Sequence, residues 1–226
     1  MKKKVLVLIT LFLVSFLLVG CTSKKDSKAA LDFKKEYEAV NGKEAKMGMT
    51  HRTIKIDKDN PFEKVEPKKI VELLDKKESF YLYIGDPYCP WCRSVIEKAV
   101  EVAKAKKVKK VYYIDFWDDD WNEILRDKYE FKDGKLVKTV EATKEYERML
   151  KEFGPLLRDY TVTDENGNEV EVGEKRAFGA TFIAVKKGKA VRMTEGHSKK
   201  QKGAFDELTD EILDDEEEEF NKLFSN

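Results

Sequence analysis

Five apolar and aromatic residues, Phe80-Tyr81-Leu82-Tyr83-Ile84, run unbroken up to Gly85-Asp86-Pro87, and after Tyr88 the tetrad Cys89-Pro90-Trp91-Cys92 begins a stretch of different periodicity. A run of this length suits a strand buried on both faces of a sheet. Beyond the tetrad, Cys92, Val95, Ile96, Ala99, Val100 and Ala103 recur at helical spacing, with Arg93, Glu97, Lys98 and Glu101 on the opposite side. The tetrad therefore sits where a buried strand hands over to an amphipathic helix. Such a junction restricts the chain to an α/β fold, a central sheet flanked by helices.

Two thiols two residues apart serve three chemistries: half a zinc site, an inert staple, or a reversible dithiol/disulfide couple. A closed zinc site needs four ligands. The chain holds only one other cysteine, Cys21, and two isolated histidines, His51 and His197, for which ordinary hydrogen bonding is the expected role. A staple across so short a loop removes little unfolded-state entropy. The redox couple gives the two cysteines different tasks. Cys89, at the first helical turn, gains from unpaired N–H groups and the positive end of the helix dipole, which favour a thiolate; it is the expected nucleophile. Cys92 lies in the apolar stripe and is the expected resolving thiol, attacking the mixed disulfide formed at Cys89. Pro90 suits the first helical turn, where its missing N–H has no partner. Trp91 offers an aromatic surface for a peptide or for packing.

Val111-Tyr112-Tyr113-Ile114-Asp115-Phe116 reads as a second strand after the helix, which makes a parallel crossover unit. Near the C-terminus, Ala180 to Val185 and Ala190 to Met193 flank Lys186-Lys187-Gly188-Lys189 as a β-hairpin, and a final helix follows. This order, with the cysteine pair at the first crossover, resembles the thioredoxin fold. The segment Tyr83-Ile84-Gly85-Asp86-Pro87-Tyr88-Cys89-Pro90-Trp91-Cys92-Arg93-Ser94 is similar to the active-site segment of thioredoxin-like lipoproteins of Gram-positive bacteria, a group related to bacteriocin-transport accessory proteins. The resemblance extends over about residues 31 to 225.

The resemblance implies an extracytoplasmic thiol–disulfide oxidoreductase that acts on protein thiols and disulfides, with a membrane electron donor or oxidant as its own redox partner. It needs no cofactor beyond the redox-active disulfide Cys89–Cys92. It also places Ala180 and Thr181 beside the cysteines, where thioredoxins carry a cis-proline. With alanine there, the cost of a non-proline cis bond predicts a trans Gly179–Ala180 bond. Tyr83 stands where thioredoxins bury an acid that deprotonates the resolving thiol. A phenol is a poor base at neutral pH, which leaves water, Asp86 or Asp115 for that task; a turn and a strand end are the plainer readings of the two carboxylates. The alternative function is a non-catalytic thioredoxin-fold accessory or binding lipoprotein, of the kind tied to bacteriocin transport or immunity.

Lys2-Lys3-Lys4 followed by the apolar stretch Val5 to Val19, too short to span a membrane, reads as an export signal over residues 1–20. Leu18-Val19-Gly20-Cys21 resembles the lipobox cleaved before a lipid-modified cysteine, so Cys21 is the expected lipidation site and the membrane anchor. Cys21 and a polar tether occupy 21–30, and a single thioredoxin-like domain occupies 31–226. Outside the cytosol the remaining pair, Cys89 and Cys92, is expected to rest as the disulfide. The 44 basic and 44 acidic residues balance, and loss of Lys2, Lys3 and Lys4 leaves 41 against 44. Because these charges are interleaved, nucleic acid is not an expected partner.

Helices are expected at Leu31 to Val40, Pro67 to about Lys76 and Glu141 to Phe153, and a strand near Thr50 to Ile56. An insert at about 117–178, the expected source of partner specificity, holds a helix-like segment from Trp117 to Tyr129. It continues with a turn at Lys132-Asp133-Gly134-Lys135, the helix ending at Phe153, and a hairpin about Glu165-Asn166-Gly167-Asn168. Asp118-Asp119-Asp120 is expected to be a solvated helix start rather than a cation site. The acidic run Asp214 to Glu219 is expected to be the polar face of a final helix whose apolar side uses Phe205, Leu208, Ile212, Phe220 and Phe224.

Overall fold

Alternation along two neighbouring strands separates the interior into two layers. In a computed structural model, which describes residues 27–45, 48–118 and 122–225, strand β2 (Phe80–Gly85) turns Tyr83 to one face of the sheet and Phe80, Leu82 and Ile84 to the other. Strand β8 (Thr181–Lys186) divides Phe182 and Ala184 from Ile183 and Val185 in the same way. The first face is covered by α1 (Lys28–Glu38), α3 (Pro90–Ala105) and α5 (Asp210–Leu223), the second by α2 (Pro67–Asp75) and α4 (Lys144–Phe153). The result is an α/β molecule with a mixed sheet between helical layers.

The five-stranded sheet has the order β1-β3-β2-β8-β9, with β1 (Phe62–Lys64), β3 (Val111–Asp115) and β2 parallel and β8 and β9 (Lys189–Thr194) antiparallel. The crossover β2-α3-β3 and the terminal hairpin stand where the residue pattern places them. Between β3 and β8 lie two separate two-stranded ribbons. One pairs β4 (Lys128–Lys132) with β5 (Lys135–Val140), and the other pairs β6 (Arg158–Thr163) with β7 (Glu169–Arg176). No helix among the described residues is long and apolar enough to cross a membrane.

Several expectations are corrected. Residues 50–56 form no named strand, only an isolated bridge at Thr50. Their backbone is satisfied by side chains instead: the Ile54 N–H donates to Asn41 Oδ1, the Lys55 N–H to Glu97 and the Ile56 N–H to Glu38. Among the described residues from Trp117 to Tyr129 there is no helix. Asp118 accepts from the Asn122 N–H, and β4 follows. A buried ion cluster ties this segment to the end of β7: Arg126 pairs with Glu123 at 2.6 Å, Arg176 meets Glu123 and Asp127, and Arg126 donates to the Ala177 carbonyl. These contacts run across the insert rather than along a helix, and Asp127 Oδ2 is buried without a hydrogen-bond partner.

The helix expected from Glu141 begins at Lys144, because Thr143 caps it by accepting from the Tyr146 N–H. Leu31 is exposed, and α1 buries Ala30, Phe33 and Tyr37 instead. Phe205 and Leu208 precede α5, which starts after its cap Thr209. The acidic run of α5 is not all solvated, since Glu216 is completely buried where the helix packs toward α3. Arg93, assigned to the polar side of α3, is buried as well, its guanidinium taken up by carbonyl groups described below.

Candidate functional site

The tetrad begins one turn beyond the end of β2, and each residue of that turn has a task. Gly85 has no room for a side chain, because a Cβ there would lie 2.1 Å from the Tyr83 hydroxyl. Asp86, 4% exposed, accepts from the Tyr88 N–H at 2.6 Å, and the Cys89 N–H donates to the Asp86 carbonyl at 3.2 Å. Cys89 is the N-cap of α3: its backbone is extended and its Sγ accepts from the Cys92 N–H at 3.2 Å. Pro90 takes the first helical position.

Both cysteines are thiols, Cys89 half-buried and Cys92 fully buried. Their electrostatics diverge. The hydrogen bond with Cys92, helped by the Cys92 and Trp91 N–H groups, holds the Cys89 thiol below its ordinary value against the opposing effect of burial. Burial first, then the Cys89 sulfur, pushes Cys92 well above its ordinary value. A half-buried, acidic thiol beside a fully buried, reluctant one is the arrangement that divides attack from resolution.

The segment preceding β8 faces both sulfurs. A Cβ on Gly179 would stand 2.9 Å from Cys92 Sγ and 3.1 Å from Cys89 Sγ, so only glycine lets this chain lie across the pair. The Gly179–Ala180 bond is cis, not trans as expected. The expectation weighed the local cost of the bond alone, whereas here tertiary packing sets the path: Ala180 and Thr181 are buried, and the Thr181 hydroxyl donates to the Phe178 carbonyl at 2.7 Å.

Residues the pattern did not single out complete the surroundings. Arg93 Nη1 donates to the carbonyls of Tyr37 and Pro87, and its Nε and Nη2 donate to that of Arg52, with Nη2 also reaching Asn41 Oδ1. This one side chain pins the thiol loop to α1 and to the 50–56 segment. His197, expected to play an ordinary part, lies against the tetrad, with its ring centroid 4.7 Å from that of Trp91 and its Nε2 3.1 Å from the Trp91 carbonyl. Burial lowers its pKa. His51 is buried edge-on to Tyr88. Arg158 covers the Phe178 ring and pairs with Glu195 at 2.7 Å. No spacing rule flags such contacts, because they join segments far apart in the chain.

Beside Tyr88 opens a cavity of about 260 Å³, lined among others by Glu36, Lys64, Asp86 and Asp115. Burial, reinforced by Asp115 and Glu36 and opposed by the Tyr88 N–H, raises the Asp86 pKa to about 7. Asp115 accepts from the Tyr113 hydroxyl and the Trp117 N–H, a strand-end role. Among the described residues no three His, Cys, Asp or Glu side chains gather as a metal would require. The expected export signal and the expected lipobox with Cys21, together with Asp119, Asp120 and Trp121, lie outside the described residues. No protein-family model matches the chain, and no curated protein matches it significantly.

Proposed function

We propose that this chain is a membrane-anchored, extracytoplasmic thiol–disulfide oxidoreductase with a thioredoxin-like fold, acting on the thiols or disulfides of exported proteins. The observation that carries the reading is the asymmetry of the pair. Cys89 caps a helix and receives its N–H groups, while Cys92 is sealed beneath. The cysteine pair after the central strand, the antiparallel hairpin beyond it and the glycine laid across both sulfurs support the fold assignment. The charged n-region, short apolar stretch and Cys21 of the sequence support export and lipid anchoring, and a membrane electron donor or oxidant supplies the return half of the cycle.

In the reducing direction the Cys89 thiolate attacks a substrate disulfide. One S–S bond forms and one breaks, and the departing substrate sulfur leaves as a thiolate. Cys92 then attacks Cys89 Sγ, releasing the second substrate thiol and leaving the Cys89–Cys92 disulfide. Oxidation of substrate is the same sequence reversed.

The test is a trap. Cys92→Ser in cells is expected to accumulate mixed disulfides through Cys89 that vanish in the Cys89→Ser, Cys92→Ser double variant. No adduct, together with an ordinary Cys89 pKa, sinks the exchange reading and leaves an accessory protein that binds without exchanging. The reduction potential of the purified protein then sets the direction, a strongly negative value excluding an oxidase.

A further inference from the structure

The sequence interleaves its charges, but the fold gathers lysines at the end of the sheet away from the sulfurs. The turn after α3 and the turn between β8 and β9 meet at the start of β2, around a cavity of about 770 Å³. Lys106, Lys107, Lys109 and Lys110 come from the first turn and Lys186 and Lys187 from the second, all six exposed. Among the described residues only Lys110 of these pairs with a carboxylate, that of Glu63, and its ammonium lies 5.3 Å from the Tyr112 ring centre. The turn at 76–79 is fastened to the same rim, since the Gly188 N–H donates to the Glu78 carbonyl and the Lys187 N–H to Ser79 Oγ. It adds Lys76 and Lys77 against the one carboxylate of Glu78, all exposed. Between the lysines lie the half-buried rings of Tyr81 and Tyr112, with Phe224 edge-on to Tyr81.

Two helices relate this rim to the thiols. Helix α3 has Cys89 as its N-cap and Lys106 as its C-cap, so its 16 residues, at about 1.5 Å each, hold them about 24 Å apart. Helix α1 spans the same two ends. Its first turn is at the lysine end: the Asn60 side chain donates to the Ala30 carbonyl, and the neighbouring Pro61 carbonyl accepts from the Val111 N–H, directly after the lysine turn. Its last turn is at the thiol end, where Arg93 Nη1 donates to the Tyr37 carbonyl. Ser27, the cap of α1, therefore stands on the side of the rim. Cys21 is six residues earlier in the sequence, a reach of at most about 20 Å.

Building on the lipid anchor at Cys21 proposed above, we propose that the lysine rim docks on the anionic phospholipid headgroups of the membrane that holds the anchor. Charge and reach name the occupant. Five ammonium groups without a carboxylate partner face outward around two amphipathic rings, and a short tether brings this end down on the bilayer. Headgroup phosphates accept from the lysines, and the tyrosines sit at headgroup depth, where one side of a ring is wet and the other apolar. The sulfurs then stand on the order of 20 Å above the headgroups, facing exported chains rather than lipid.

Amine footprinting tests this on the full lipidated chain, inserted through its anchor into preformed vesicles. A membrane-impermeant acylating reagent is applied, and peptide mass spectrometry reads the rate at each lysine. On vesicles mixing phosphatidylglycerol with phosphatidylcholine, the six rim lysines are expected to react about fivefold more slowly than on phosphatidylcholine alone, with the protection lost in about 1 M salt. Lys43, which reaches the Tyr88 hydroxyl beside the tetrad, and Lys199, two residues beyond His197, are expected to react equally on both. Lys106→Glu, Lys107→Glu and Lys109→Glu together are expected to abolish the protection of Lys186 and Lys187; protection that survives them contradicts a shared surface. A chain that stays with neither vesicle removes the anchor reading and this inference with it. An anchored chain whose rim lysines react alike on both vesicles overturns the docking alone. So does equal protection without vesicles by inorganic phosphate or by a soluble polyphosphate, which assigns the rim to a free anion or to an anionic polymer. Should the triple variant fail to fold, the lipid and salt dependence of the wild type decides.

Discussion

Arg93 shows how a single residue defeats pattern reading. Its helical position puts it among charged neighbours, and charge at such a position ordinarily means solvent. It is instead 1% exposed, because carbonyls from three separate segments and the Asn41 side chain converge to accept from it. A buried guanidinium held by dipoles is tolerable only while its hydrogen bonds are complete. Arg93→Met keeps the volume and removes the donor on which these acceptors converge, so the expected loss is about 3 kcal/mol, read as a lower urea midpoint. An unchanged midpoint contradicts the pinning role. The cysteines themselves were legible, since capping by Cys89 follows from its place before Pro90 and burial of Cys92 from its place in the stripe. The places of Gly179 and His197 were not, as each depends on a meeting across tens of residues that spacing cannot express.

At the scale of elements, strong periodicity was readable and side-chain substitutes for backbone pairing were not. The helix at Pro67, the long helix after the tetrad and the terminal hairpin follow their apolar spacing. Residues 50–56 look like a strand because they alternate, yet Asn41, Glu38 and Glu97 take the bonds a neighbouring strand would make. Helix α5 holds the opposite surprise. Glu216 sits at 0% exposure with neither carboxylate oxygen hydrogen-bonded, and burial raises its pKa to about 8. Below the unfolded glutamate value of about 4.3 both states carry the proton, and the group has no effect. From there to about pH 8 the folded chain keeps a proton that the unfolded chain gives up, so stability falls as pH rises and levels off above. Glu216→Gln is expected to equal the wild type near pH 4 and to exceed it by a few kcal/mol near pH 9, measured by chemical denaturation across that range. Parallel curves for the two proteins contradict a buried carboxylate.

For the molecule as a whole, the covered sheet was readable from one strand, as were the insert's helix to Phe153 and its hairpin about Asn166-Gly167; the segment before the first ribbon and the buried charges Glu123, Arg126, Asp127 and Arg176 that fasten it were not. Nothing in a run of alternating charges announces which will be buried. If Cys21 carries the lipid as proposed, Cys21→Ser is expected to move the protein from the detergent-rich to the aqueous phase on phase partitioning; retention with detergent contradicts the anchor. The insert leaves the sheet at Phe116 and returns at Gly179, and those two residues meet at the sulfurs, the Phe116 ring standing 3.2 Å from where a Gly179 Cβ would be. The segment free to lengthen thus begins and ends at the place where reactivity is decided. Its loops can diverge between descendants of this scaffold while its two feet cannot, so a lineage can acquire new clients without rebuilding its chemistry.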